Sequence, residues 1–332
     1  MRPLLALLLI ITIATITSCK SKHSSSSEGA VTDKPKESFK AADFNADTAY
    51  CFVNEQVKFG PRVPNTKAQA KCAAWLESTL KKYAAQVTVQ PFTAKAFDGT
   101  VLSCKNIIAS FNPKCANRVL LCSHWDSRPF ADNDPDSTQH KTPIDAANDG
   151  ASGVGILLEI ARQLKIQPCS IGVDILLVDG EDYGAPQNAG YKGTDDWALG
   201  SQYWARNPHI NGYIARYGIL LDMVGAEDAV FTHEATTMYY APDVAQKIWA
   251  IGSSIGYSNY FSTERTNGIT DDHVYINQFR KVPTIDIIQH DPSTRSGFYK
   301  YWHTVNDKMA GISKPTLMAV GQTILTAVRS EK

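Results

Sequence analysis

Several things are missing from this 332-residue chain, and each absence closes a class of function. It has no net charge: 33 Lys and Arg are balanced by 33 Asp and Glu, so there is no basic footprint for nucleic acid. Its N-terminal apolar stretch, Leu4 to Ile16, is only about 13 residues, too short to span a bilayer. It has no internal repeat, which excludes a solenoid. Its cysteine spacings match no zinc knuckle. The glycines of Gly150-Ala151-Ser152-Gly153-Val154-Gly155 do not fit the dinucleotide fingerprint. The alternating acids of Asp132-Asn133-Asp134-Pro135-Asp136 are not a calcium loop, because the sixth position is Ser137 rather than Gly and the twelfth is Pro143 rather than Glu. That segment reads as a solvated loop.

What is present begins with a leader. The Leu4–Ile16 stretch follows Arg2 and suits the central region of a signal peptide. It runs into Ile16-Thr17-Ser18-Cys19, which resembles the bacterial lipobox, whose cysteine carries the lipid. Residues 1–18 are therefore expected to be a lipoprotein signal peptide and Cys19 the lipidation site. Residues 19–43, rich in Ser and Lys, are expected to form a flexible tether, because so few apolar groups cannot bury a core. This implies lipid anchoring in the bacterial cell envelope, periplasmic or outward-facing. The remaining cysteines, Cys51, Cys72, Cys104, Cys115, Cys122 and Cys169, are in a compartment that can oxidise them, but some are expected to be buried free thiols.

Residues 44–332 read as one folded domain, and a 43% hydrophobic chain is long enough for one large core. Apolar residues at three- and four-residue intervals predict helices over 48–59, 66–83, 151–164, 243–255 and 315–329. Short apolar runs predict strands over 88–92, 102–111, 118–123, 172–178, 218–222, 237–240 and 284–288. Their alternation predicts an α/β fold: a central, mixed but mostly parallel sheet covered by helices on both faces, with the early strands as a hairpin.

Three apolar runs end in catalytic or metal-binding residue types. One leads into His124-Trp125-Asp126, one into Asp179-Gly180-Glu181-Asp182, and one into Asp222. Ligands in such sheets bind beyond the carboxyl ends of the strands, so these groups share one edge. Carboxylates and imidazoles together suit zinc. Of His124 and Asp126, one could bind metal while the other orients it. Asp149, taken alone, reads first as the N-cap of the helix that follows. Of Glu181 and Asp182, one could hold metal while the other stands free as a base. Asp271 and Asp272 precede His273 and could cap a helix over 272–278. His303 lies among Phe298, Tyr299, Tyr301 and Trp302. The long connections 127–142, 183–197 and 290–301 adjoin the strand ends and should wall a pocket.

In this order the chain resembles the bacterial zinc aminopeptidase superfamily, and within it the animal-type glutaminyl cyclases. The likeness rests on His124-Trp125-Asp126-Ser127, Asp149, Asp179-Gly180-Glu181-Asp182, Asp222-Met223-Val224-Gly225-Ala226, Asp271-Asp272-His273 and Trp302-His303-Thr304. The resemblance implies a zinc exopeptidase-like fold over residues 44–332. It also implies one zinc per chain on Asp149, Asp182 and His303, with Glu181 as acid-base group. Asp222 and Asp271 would be hydrogen-bonded active-site acids, and Trp302 and Phe298 substrate-binding aromatics. The implied reaction closes an N-terminal glutamine of a peptide or protein to pyroglutamate and releases ammonia. The family usually carries Glu where this chain has Asp182, one methylene shorter, so the metal or backbone must shift. The vertebrate cysteine pair has no match here, nor has a tryptophan shortly after the paired acids. The alternative is a two-zinc aminopeptidase that adds His124 and Asp222 as ligands, with Glu181 activating water. A non-catalytic envelope binding protein would have to treat Glu181 as incidental.

Overall fold

The computed structural model describes residues 39–332 except 187, 188 and 194. The expected signal peptide, Cys19 and the tether up to residue 38 lie outside the described residues. The tether's last residues already belong to the body: the Ala42 N–H donates to Thr326 Oγ1 at 3.0 Å, and Gln322 Nε2 donates to the Ala42 carbonyl.

Two helices open the body, α1 (Ala46–Val57) and α2 (Lys67–Lys81). Each starts where its sequence offers a cap: Asn45 accepts from the Thr48 N–H and Thr66 from the Gln69 N–H. The expected hairpin follows as β1 (Gln86–Lys95) and β2 (Val101–Phe111). Then come β3 (Arg118–His124), α3 (Ala151–Ile166), β4 (Gly172–Val178), α4 (Leu199–Arg206) and β5 (Gly218–Asp222). Next are β6 (Phe231–Glu234), α5 (Ala235–Tyr240), α6 (Pro242–Ser254), β7 (Phe261–Thr266) and α7 (Asp272–Tyr275). A π-helical turn, β8 (Thr284–Ile288) and α8 (Lys314–Ser330) complete the chain.

The main sheet has the order β1-β2-β4-β3-β5-β8. β2 runs antiparallel to β1 and β4, whereas β4, β3, β5 and β8 are mutually parallel. The sheet is mixed and mostly parallel, as the pattern of elements predicts. Side chains alternate between its faces. Val119 and Leu121 join the core under α1, α3 and α8, while Leu120 and Cys122 face Trp204 of α4 on the other side. Both faces are covered, so the central strands read as unbroken apolar runs. No helix among the described residues is long and apolar enough to cross a membrane.

One predicted strand is wrong. Residues 237–240 lie in α5, because the Glu234 carboxylate accepts from the amides of Thr236 and Thr237 and starts a helix there. This capping overrides the β preference of Thr and Tyr. The acidic segment after Asp132 is a loop exposed at Asn133, Pro135 and Asp136, as expected, with one exception. Asp134 is buried and accepts from the Val305 and Asp136 N–H groups, which pins the segment to the loop carrying His303. The six described cysteines are free thiols, with Cys72, Cys104 and Cys122 buried.

Candidate active site and metal centre

The parallel strands deliver their acids to one edge. His124 is the last residue of β3, Asp222 the last of β5, and Glu181 and Asp182 follow β4 after a turn at Gly180. His303 arrives on the loop after β8, at a left-handed φ of 55° that non-glycine residues rarely adopt. Asp149 is not the N-cap of α3; that position is Gly150, and its carboxylate turns to the site instead. Gly150 has φ 83°, and a side chain there would drive its Cβ to within 2.6 Å of the His124 ring. A glycine at this position lets Asp149 and His124 approach.

Two groups that could hold a metal ion result, and they share Asp149. One is Asp149, Asp182 and His303; the other is His124, Asp149 and Asp222. In each, one donor atom per residue lies within 4.8 Å of the others. His303 Nε2 is 3.1 Å from Asp182 Oδ1 and 3.5 Å from Asp149 Oδ2. His124 Nε2 is 3.1 Å from both Asp149 Oδ1 and Asp222 Oδ1. Asp149 Oδ2 and Asp182 Oδ2 are buried and have no hydrogen-bond partner among the described residues. Buried carboxylate oxygens in that condition are costly unless something cationic meets them. The donor set therefore fits a metal ion. Asp182, though shorter than Glu, reaches His303 without help.

Around this core stands a layer of orienting groups. The Asp126 carboxylate accepts from the amides of Glu181 and Asp182, each at 3.1 Å, and lies 3.6 Å from His124 Nδ1. It fixes where the paired acids point. Asp132 does the same for His303, with Oδ1 3.5 Å from Nδ1. Arg128, fully buried, holds Asp132 through two charge-assisted bonds of 2.6 and 2.8 Å and donates to the Asp182 carbonyl at 3.0 Å. Burial alone would raise the Asp132 carboxyl, but Arg128 and His303 hold it well below its ordinary range.

The site opens into a cavity of about 190 Å³ walled by all three long connections. Arg128 and Asp132 come from the first, Ala185 and Trp197 from the second, and Phe298 and Trp302 from the last part of the chain. The Trp302 ring lies on the His303 ring at 3.8 Å, and Phe298 packs on Trp302 at 4.8 Å. Trp197 is parallel to His303, 2° apart in plane with centroids 6.0 Å apart. Glu181, Asp222 and Asp271 also line the cavity. Asp271 caps α7 as well, accepting from the Asp272 N–H, so its capping and cavity positions coexist.

Electrostatics separate these acids. Burial lifts Glu181 well above its ordinary range; His124 opposes this, and the neighbouring charges of Asp271 and Asp182 add to it. Burial and Asp149 push Asp222 up to about 7. Burial also raises Asp271. Asp149 moves the other way, since the hydrogen bond and charge of His124 outweigh its burial. The site thus holds carboxyl groups that can carry a proton beside one that stays ionised.

Every residue expected at the site lies in or beside this cavity. Sequence reasoning missed Arg128, Asp132 and Trp197. All three lie in irregular connections, and nothing local in the sequence marks them.

Residues 106–328 match Peptidase family M28. A Zn-dependent exopeptidase of Parabacteroides distasonis is 48% identical, with a TM-score of 0.87 over 88% of this chain and 100% of its own. A glutaminyl cyclase of Bacteroides thetaiotaomicron, solved with N-acetylhistamine bound, is 50% identical, with a TM-score of 0.85 over 88% of this chain and 100% of its own. The glutaminyl-peptide cyclotransferase of Gloydius blomhoffii is 27% identical over 64% of this chain. The chain spans only 61% of that protein's length.

Proposed function

The chain belongs to peptidase family M28, and on that premise we propose that it is a zinc-dependent glutaminyl-peptide cyclotransferase. It converts the N-terminal glutamine of peptides and proteins to pyroglutamate. The α-amine nitrogen forms a bond to the side-chain amide carbon, the bond from that carbon to its NH₂ breaks, and ammonia leaves. No water is consumed.

The observation that carries this reading is the cavity. At about 190 Å³ it has room for a single side chain. Trp302, Phe298 and Trp197 give it an apolar wall that folds the glutamine chain back on its own amine and keeps water out. Orientation of this kind is the main gain available to an intramolecular attack, and exclusion of water suppresses hydrolysis to glutamate.

Asp149, Asp182 and His303 would hold the zinc. When bound, it supplies a Lewis acid that polarises the side-chain amide carbonyl. Glu181 is the general base and then the general acid: it takes a proton from the attacking amine and delivers it to the departing ammonia. Its raised proton affinity suits both halves of that task. Asp222 and Asp271 line the same cavity and hold the amine and the leaving nitrogen by hydrogen bonds. Asp126 keeps Glu181 and Asp182 in register through their amides. We further propose that Cys19 is lipidated and anchors the enzyme at the cell envelope, facing the peptides it modifies.

A second reading has an observation of its own. His124, Asp149 and Asp222 satisfy the spacing of a second metal group, as a two-zinc aminopeptidase requires. Two peptides differing only in N-terminal Gln or Leu separate the readings. A cyclase closes the first and leaves the second intact, with one zinc per chain. Release of free leucine by a chain holding two zincs would establish the aminopeptidase.

A further inference from the structure

The guanidinium of Arg62 is completely buried and, among the described residues, has no carboxylate partner. It donates to three carbonyls: Trp125 from Nε at 3.1 Å, Asp145 from Nη1 at 2.5 Å and Ala146 from Nη2 at 2.9 Å. Trp125 follows His124, and Asp145 and Ala146 begin the segment that ends in Asp149. From the other side, Asp307 collects the next three amides. Its backbone carbonyl accepts from the Ala147 N–H at 3.3 Å, and its carboxylate accepts from Asn148 at 2.8 Å and Asp149 at 3.0 Å. The five residues 145–149 are thus held in sequence by Arg62 on their carbonyls and Asp307 on their amides. The segment needs holding, since Ala146 has a positive φ of 50°.

We propose that Arg62 and Asp307 are positioning residues, a two-sided clamp that presents the Asp149 carboxylate to the metal. Arg62 lies between α1 and α2, outside the stretch matching the family, so the N-terminal segment completes the metal site. Asp307 follows His303 by four residues, so the loop that brings one ligand also fixes the backbone of another. An Arg is required because its planar fork can serve three carbonyls at once; a Lys ammonium at this depth cannot reach all three. The inference rests on the metal reading alone, since Asp149 is a ligand in both the cyclase and the aminopeptidase arrangements.

The test uses the whole chain, freed of metal, with zinc affinity read by competition against a chromophoric chelator. Arg62→Lys, Arg62→Met and Asp307→Asn should each bind zinc about 10- to 100-fold more weakly, the range for groups that orient a ligand. In the metal-free variants the amides of Ala147, Asn148 and Asp149 should exchange hydrogen faster than in wild type. Leu76→Ala, a fully buried core truncation on α2 away from this segment, should lower the melting temperature and leave zinc affinity unchanged. Wild-type zinc affinity in folded Arg62 and Asp307 variants would overturn the clamp. So would an Arg62 series unable to fold at all, which would make the residue structural. A wild-type chain that binds no zinc would sink the metal site itself.

Discussion

The Trp302 ring lies 3.8 Å from the ring of its neighbour His303, with only 25° between their planes. A pocket wall and a candidate metal ligand are therefore one stacked unit, with Trp197 parallel to the imidazole as well. Trp302→Ala should weaken both substrate and zinc binding, whereas Trp302→Phe should keep most of each. An aromatic stack contributes about 0.5–1.5 kcal/mol, or roughly two- to tenfold in zinc affinity. Chelator competition and KM measured on the same preparations check this. A Trp302→Ala variant with altered KM and unaltered zinc affinity would separate the two functions.

Glu181 should be separable from the metal. Its carboxylate lines the cavity, and it belongs to neither candidate metal group. Glu181→Gln keeps its shape and cannot shuttle a proton. Turnover of Gln-headed peptides should fall about 100- to 10,000-fold, mainly in kcat, with zinc content and melting temperature near wild type. Loss of zinc from this variant would mean that Glu181 and Asp182 exchange roles.

Acid stability should depend on Glu234. Burial would raise this carboxyl, but His273, 3.3 Å away, and the Thr237 amide pull it from 4.5 down to about 2. A depressed folded-state value stabilises the fold above about pH 4.5, and that contribution is lost as pH falls through about 2. Glu234→Gln should melt lower than wild type at neutral pH, and the gap should close across that window. A gap that stays constant from neutral pH to about 2 would show that Glu234 acts only as a neutral cap.

Much of this arrangement was legible because strand ends are punctuated by composition. The runs into His124, Glu181-Asp182 and Asp222 stop being apolar where they leave the sheet, so order along the chain becomes proximity in space. Asp149 was harder, because Asp before a helix is an ordinary cap; only the positive φ of Gly150 turns it away. Residues 237–240 misled because β preference in so short a run yields to one well-placed carboxylate, Glu234. Arg128, Asp132, Trp197 and Arg62 were invisible for a common reason. They sit in irregular connections without periodicity, and their partners are fixed by tertiary contacts far along the chain.

The envelope anchor is tested by fractionation. Cys19→Ala removes the proposed lipid attachment and should move the enzyme from membranes to the soluble envelope fraction, with activity per molecule unchanged. A variant that still sediments with membranes would refute lipid anchoring through Cys19.

The central claim is that the substrate's own amine, and not water, attacks. It is tested most directly by incubating a Gln-headed peptide in oxygen-labelled water and weighing the product. Cyclisation predicts a peptide lighter by the mass of ammonia, carrying no solvent oxygen, with one free ammonia per turnover. A product that takes up labelled oxygen, as glutamate at the N-terminus or as a released amino acid, would contradict the account.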